Sequence, residues 1–115
     1  MKTIMALSLG LLVSAAGTAF AASTSVTGHL RDSFCYGMMG AHGPSHQKCA
    51  MGCAKAGIPV LLVADKTNKG YILLPPKNDQ GLPSSVIDKM EDEVTVTGTE
   101  FTKDGVTFLT VESVK

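Results

Sequence analysis

The residues whose side chains are best suited to metal binding or redox chemistry are one imidazole and two thiols in a short segment. His46, Cys49 and Cys53 stand at positions i, i+3 and i+7. Each helical residue turns the chain by about 100°, so a helix through this segment would place the three side chains on one face. Cys35 and His42 lie just upstream, in a glycine-rich stretch. Thiols and imidazoles that converge in this way are typical of metal sites and redox sites.

One interpretation is a metal site. The three cysteines would supply thiolates and His46 would complete the set, with His42 as the competing fourth ligand because it lies four residues before His46. Zn(II) accepts either set tetrahedrally, and Cu(I) also accepts thiolates and the thioethers of nearby methionines. The predicted ligands are therefore Cys35, Cys49, Cys53, His46 and His42, and the predicted ions are Cu(I) or Zn(II).

A second interpretation is a disulfide. Cys35 would bridge to Cys49 or to Cys53 and fix the glycine-rich stretch against the helix. A loop of that length stabilises a small domain by roughly 3 kcal/mol in the chain-entropy model. One of the three thiols would remain unpaired. The chain would then be a disulfide-stapled interaction module that binds a protein or glycan partner without catalysis.

Catalysis is the weakest interpretation. The sequence has no Cys-x-x-Cys motif, so thiol redox chemistry is a minor alternative. It also lacks a serine–histidine–aspartate set, a phosphate-binding glycine loop and a paired-carboxylate site, and we predict that the protein is not an enzyme. Without Lys2, nine basic and ten acidic side chains remain. This balance provides no basic surface for nucleic acid or for a membrane.

The first residues have the pattern of a secretory signal peptide. Lys2 precedes an apolar run over residues 4–13, and Ala19-Phe20-Ala21 matches a small-x-small cleavage site. We predict cleavage after Ala21, which leaves residues 22–115 as one domain in the periplasm or secreted. The apolar run is too short to predict a stable membrane anchor. The predicted partners are a metal ion and a periplasmic protein.

Five strands and two helices must position these ligands. Alternating or continuous apolar patterns predict strands over residues 24–32, 59–64, 71–74, 93–98 and 106–114. Between the first two strands, residues 33–43 are predicted to be a loop, and Pro44-Ser45 begins a helix that Gly57 ends near residue 56. This segment, residues 33–57, is called the insertion below. A short helix is expected over residues 83–90.

This order predicts a mainly β fold, a five-stranded OB-like barrel, with a Cys/His-bearing helix between strands 1 and 2 and a short helix between strands 3 and 4. Val26-Thr27-Gly28 and Val96-Thr97-Gly98 resemble the Val-x-Gly strands of small bacterial OB-like domains, and residues 93–114 resemble their last hairpin. In architecture the chain resembles periplasmic copper and silver chaperones. Those proteins place methionine and histidine beside a tryptophan on barrel strands, whereas this chain has no tryptophan and carries its ligands on the insertion. The resemblance implies soft-metal handling or sensing.

Overall fold

A computed structural model describes residue 10 and residues 22–115 of the chain. The strands are β1 (Ala22–Asp32), β2 (Val60–Ala64), β3 (Gly70–Leu74), β4 (Glu93–Lys103), β5 (Val106–Thr110) and β6 (Ser113–Val114). The α-helices are α1 (Ser33–Met39), α2 (Gln47–Lys55) and α3 (Ser84–Ile87), and a 3-10 helix spans Pro44–His46. The predicted signal peptide, residues 1–21 with cleavage after Ala21, lies outside the described residues except for Gly10.

The first five strands close into a mixed β-barrel. β1 pairs antiparallel with both β2 and β4, β2 pairs with β3, and β4 pairs with β5. A parallel pairing of β3 with β5 completes the ring, and β6 adds to β4. The predicted mainly β, OB-like barrel is confirmed, as are a helix between the first two strands and a short helix between the third and fourth.

The two long strands curve around the barrel, and a glycine in each allows another backbone to approach closely. A Cβ atom on Gly28 would lie 2.1 Å from the Val63 carbonyl oxygen, and one on Gly98 would lie 1.5 Å from that of Thr110. Both distances are far below van der Waals contact, so neither position accepts a side chain without a backbone shift. The Val-x-Gly pattern therefore has a packing reason in both strands.

The insertion packs onto the barrel through α2. Ala50 is fully buried in the core, and Met51 and Ala54 pack against it. The amide of the Gln47 side chain donates to the Met90 carbonyl at 3.0 Å, which ties the start of α2 to the segment after α3. Gly57 adopts φ +93°, and the amides of Gly57 and Ile58 donate back to the carbonyls of Ala54 and Cys53. The predicted glycine stop is therefore confirmed as a Schellman-type end.

Several predicted local structures were wrong in detail, including the strand over residues 106–114, which is divided into β5 and β6. Residues 33–43 are not all loop, because α1 occupies Ser33–Met39. The predicted helix from residue 44 to 56 begins as a 3-10 turn and is α-helical over Gln47–Lys55. The short helix near residue 83 spans Ser84–Ile87 and then becomes a turn. Among the described residues, no helix combines the length and apolar character that crossing a bilayer requires.

Candidate metal centre

Cys35 is positioned by the N-terminus of α1. Asp32, the last residue of β1, caps this helix: its Oδ1 accepts from the Cys35 backbone amide at 2.8 Å. A carboxylate at this position satisfies one of the amides that a helix start leaves unpaired. The Asp32 side chain is fully buried and Cys35 is 7% exposed. The cap therefore fixes the Cys35 thiol at the junction of strand, helix and core.

Cys49 and Cys53 bring the other two thiols from α2. They lie one helical turn apart, and their predicted shared face is directed toward α1. The Sγ atoms of Cys35, Cys49 and Cys53 all lie within 4.8 Å of one another. We call these residues the three-thiol cluster. All three are free cysteines, with Cys35 buried, Cys53 half-buried and Cys49 exposed.

The spacing of the three-thiol cluster suits one metal ion. Zinc–sulfur bonds of about 2.3 Å in tetrahedral geometry place the sulfur atoms roughly 3.8 Å apart. The sulfur atoms need to close by no more than about 1 Å, which rotation of cysteine side chains supplies. The exposed Cys49 thiol leaves one side of the cluster open to solvent. An ion can therefore reach the cluster without opening the barrel.

His46 lies beside the cluster but in a different group of potential ligands. Its Nε2 donates to Asp32 Oδ2 at 2.7 Å, and 14% of its side chain is exposed. Ligand atoms of Asp32, Cys35 and His46 lie within 4.8 Å of one another. We call these residues the Asp–Cys–His group. Cys35 belongs to both sets, whereas the set that holds all three Sγ atoms does not include His46.

His42, the competing ligand in the sequence analysis, occupies an exposed position. Its Nδ1 donates to the Gly40 carbonyl at 2.7 Å, and its ring packs edge-on against Tyr36 with centroids 6.4 Å apart. It belongs to neither group of ligands described above. The structure therefore brings the three predicted cysteines together, places His46 in a neighbouring group with Cys35, and leaves His42 outside both.

Burial and the Asp32 charge affect the ionisation of the Cys35 and Cys53 thiols. Burial first, and then the nearby carboxylate, raise the pKa of Cys35 to about 11. The same two causes raise the pKa of Cys53. Burial alone would raise the pKa of Asp32, but hydrogen bonds from the Cys35 amide and from His46 hold it below its usual value. At neutral pH an ion must therefore displace protons from at least two thiols to bind.

Asp32 and Glu91 shape this region although neither is among the five predicted ligands, and only Glu91 was not anticipated. Asp32 stands directly before α1, and an aspartate before a helix is the sequence sign of an N-cap. Glu91 is 4% exposed, and its Oε2 accepts from Arg31 and from the Gly43 amide at 2.9 Å. Glu91 lies 48 residues from Gly43 and has φ +71°, so local sequence patterns give no sign of this contact.

A third group of potential ligands lies on the barrel surface. His29 Nδ1 donates to Asp65 Oδ1 at 2.7 Å, and Glu93 completes a set with ligand atoms within 4.8 Å. We call these residues the barrel-surface group. His29 pairs directly with Glu93 across β1 and β4, so strand register explains the grouping. A hydrogen bond with Glu93 lowers the pKa of Asp65, and the same bond raises that of Glu93.

Comparisons with protein-family models, with curated protein sequences and with solved structures find no match for this chain.

Proposed function

We propose that this protein is a periplasmic soft-metal-binding protein that holds Cu(I) or Zn(II) at the three-thiol cluster, for metal handling or sensing. The observation that carries the proposal is the convergence of three Sγ atoms within 4.8 Å, from two helices that a closed barrel holds in place. Thiolates are the side chains that best suit both ions. The proposed activity is binding rather than catalysis.

The composition of the insertion supports a soft ion. Met38 and Met39, at the end of α1, are 73% and 69% exposed, which is unusual for apolar side chains. They follow Cys35 at i+3 and i+4, so they lie on the same side of α1. Exposed thioethers next to a thiol cluster suit Cu(I), which favours sulfur ligands. A surface of this kind is compatible with passing an ion to a protein partner.

The proposed location depends on residues 1–21, which have the pattern of a signal peptide. Export would place the barrel in a compartment where unprotected thiols oxidise, and a bound ion would protect them. The resemblance to copper and silver chaperones agrees with this proposal, since those proteins also handle soft ions on a small barrel. We propose that the shared feature is the scaffold and that the ligands differ.

Metal titration of the reduced protein tests the proposal. We expect tight binding of Cu(I), of Zn(II) or of both, and Cys49→Ser should weaken it by at least about 100-fold, because a ligand is worth more than the outer-shell contacts that cost 10–100-fold. Gly52→Ser is the matched control, since Gly52 lies on the same helix and a Cβ there meets nothing within 4 Å. No saturable binding, or equal binding by both variants, would remove the proposal.

Thiol counting separates this function from the stapled interaction module. Metal-free protein isolated under non-reducing conditions should contain three reactive thiols if the cysteines serve as ligands. One reactive thiol and a Cys35–Cys49 or Cys35–Cys53 crosslink in peptide mapping would favour the staple. In that case Cys49→Ser should be nearly silent if the crosslink joins Cys35 to Cys53.

A further inference from the structure

We propose that the centre binds two metal ions, with the Cys35 thiolate bridging them. The first ion lies in the three-thiol cluster, and the second lies in the Asp–Cys–His group. This inference rests on the proposed function, because the bridging thiolate belongs to the first site. The second ion is a borderline divalent cation of the Zn(II) class.

The geometry supports two adjacent sites rather than one larger site. Two sets of three ligand atoms each meet within 4.8 Å, and Cys35 Sγ is common to both. Bonds of about 2.0–2.3 Å to nitrogen, oxygen and sulfur place ligand atoms roughly 3.3–3.8 Å apart. Each set can therefore surround its own ion after small side-chain rotations. A thiolate sulfur has enough lone pairs to bind two ions.

The donor atoms of the Asp–Cys–His group define the class of ion. The group offers one imidazole nitrogen, one carboxylate oxygen and one thiolate sulfur. Zn(II) accepts all three donor types, whereas Cu(I) favours sulfur and has little preference for a carboxylate. We therefore expect Zn(II) to fill both sites, and Cu(I) to fill the three-thiol cluster alone.

The charges of the region also favour a second cation. Loading the three-thiol cluster creates three thiolates, and an oxygen of the buried Asp32 carboxylate lies within 4.8 Å of the Cys35 sulfur. Buried charges of one sign are costly unless an opposite charge lies close by. Two divalent ions would balance three thiolates and one carboxylate. The second ion would thus offset the repulsion between the Asp32 carboxylate and the thiolates, because both are attracted to it.

The ligands of the second site are held in position before an ion arrives. Asp32 is fully buried at the end of β1, and its Oδ1 is fixed by the Cys35 amide. Its Oδ2 and the His46 Nε2 lie 2.7 Å apart and share a proton that an ion can replace. Both atoms then need to separate by less than about 1 Å. His46 keeps 14% of its side chain exposed, which provides a path from solvent.

The test is the Zn(II) stoichiometry of the reduced protein, measured by native mass spectrometry and by Co(II) absorption titration. We expect two ions per chain in the wild type, and one in His46→Gln and in Asp32→Asn. His29→Gln and His42→Gln are matched controls, because they remove a histidine from the barrel-surface group or from the exposed loop. Both should still bind two ions. With Co(II), the thiolate charge-transfer band should grow in two steps in the wild type and in one step in His46→Gln.

The outcomes distinguish this inference from the proposed function. One ion in the wild type, lost in Cys49→Ser, would support the three-thiol site and overturn the second site. Two ions in the wild type and in His46→Gln, with one lost in His29→Gln, would place the second ion on the barrel surface and also overturn it. No ion in the wild type would overturn both. Circular dichroism of each variant checks that the barrel is folded.

Discussion

At the scale of single residues, the environment of Cys35 differs from that of its two partners. Cys35 is buried beside a carboxylate that also caps its helix, whereas Cys49 is exposed on α2. The thiolate, not the thiol, is the nucleophile and the metal ligand. Three chemically identical side chains should therefore differ in reactivity by position alone.

The first prediction concerns alkylation of the metal-free, reduced protein by iodoacetamide. Cys49 should react first because it is exposed, Cys53 second, and Cys35 last because it is buried and its pKa is raised to about 11. A raised pKa means less thiolate at neutral pH, so the Cys35 rate should increase about tenfold per pH unit until pH approaches 11. Peptide mapping by mass spectrometry measures each site. Equal rates at Cys35 and Cys49 in folded protein would contradict the structure, and urea-unfolded protein supplies the reference rates.

Sequence reasoning at this scale succeeded where a pattern is periodic. Helical spacing correctly placed Cys49 and Cys53 on one face, and Cys35 was expected to approach them. It could not separate His46 from His42, because the two histidines lie only four residues apart beside the cluster. The difference depends on Asp32, which binds His46 across 14 residues. Contacts of that kind are decided by tertiary packing.

At the scale of secondary-structure elements, the residues at the two ends of α1 define the first helix of the insertion. α1 begins at the Asp32 cap and ends at Gly40, which adopts φ +66°. Residues 33–43 were predicted to be a loop because they contain three glycines, and glycine lowers helix propensity. The cap and the burial of Cys35 outweigh that propensity over seven residues. Propensity is a weak guide for a helix this short, because tertiary contacts supply most of its stability.

The second prediction concerns the buried Arg31–Glu91 ion pair, whose carboxylate also accepts from the insertion at Gly43. Glu91 accepts from Arg31 and from the Gly43 amide, and its side chain is completely buried. Glu91→Gln removes one charge and leaves the largely buried Arg31 uncompensated. We expect a loss of about 3 kcal/mol in the free energy of unfolding, as for other broken buried pairs. Urea denaturation measures it.

Glu100→Gln is the matched control for this prediction. The Glu100 carboxylate accepts a hydrogen bond from Lys69 Nζ at 3.2 Å, and the lysine side chain is 46% exposed. Exposed pairs contribute up to about 1 kcal/mol, so this change should have a small effect. Equal losses in the two variants would show that the buried Arg31–Glu91 pair contributes no more to stability than the exposed Lys69–Glu100 pair.

At the scale of the whole molecule, the strand patterns determined most of the fold. Strict alternation of apolar and polar residues predicted β4. A continuous apolar run predicted β2, and a second apolar run after the next turn predicted β3. The barrel closes because β1 pairs with both β2 and β4 and β3 pairs with β5, and β1 has eleven residues rather than the nine predicted. Strand ends depend on their partners, so local patterns underestimate long, coiled strands. The candidate metal centre, by contrast, depends on contacts between residues that are far apart in the sequence.

The last prediction links metal binding to the stability of the whole domain. α2 contributes the buried Ala50 to the barrel core, and Asp32 belongs to both β1 and the centre. The insertion and the barrel should therefore unfold in one transition. An ion at 100 times its dissociation constant should stabilise the folded state by about 2.7 kcal/mol. For a domain of this size, that raises Tm by about 10–20 °C.

Thermal unfolding followed by circular dichroism, with and without Zn(II), measures this shift. The shift should be clearly smaller in Cys49→Ser and persist in full in Gly52→Ser, because only the first change removes a proposed ligand. An unchanged barrel Tm, together with slower amide hydrogen exchange confined to residues 33–57, would contradict a single cooperative unit. The ion would then stabilise only the insertion, which would open independently of the barrel. A shift of the whole transition instead requires that the contacts of Ala50 and Asp32 couple the two parts.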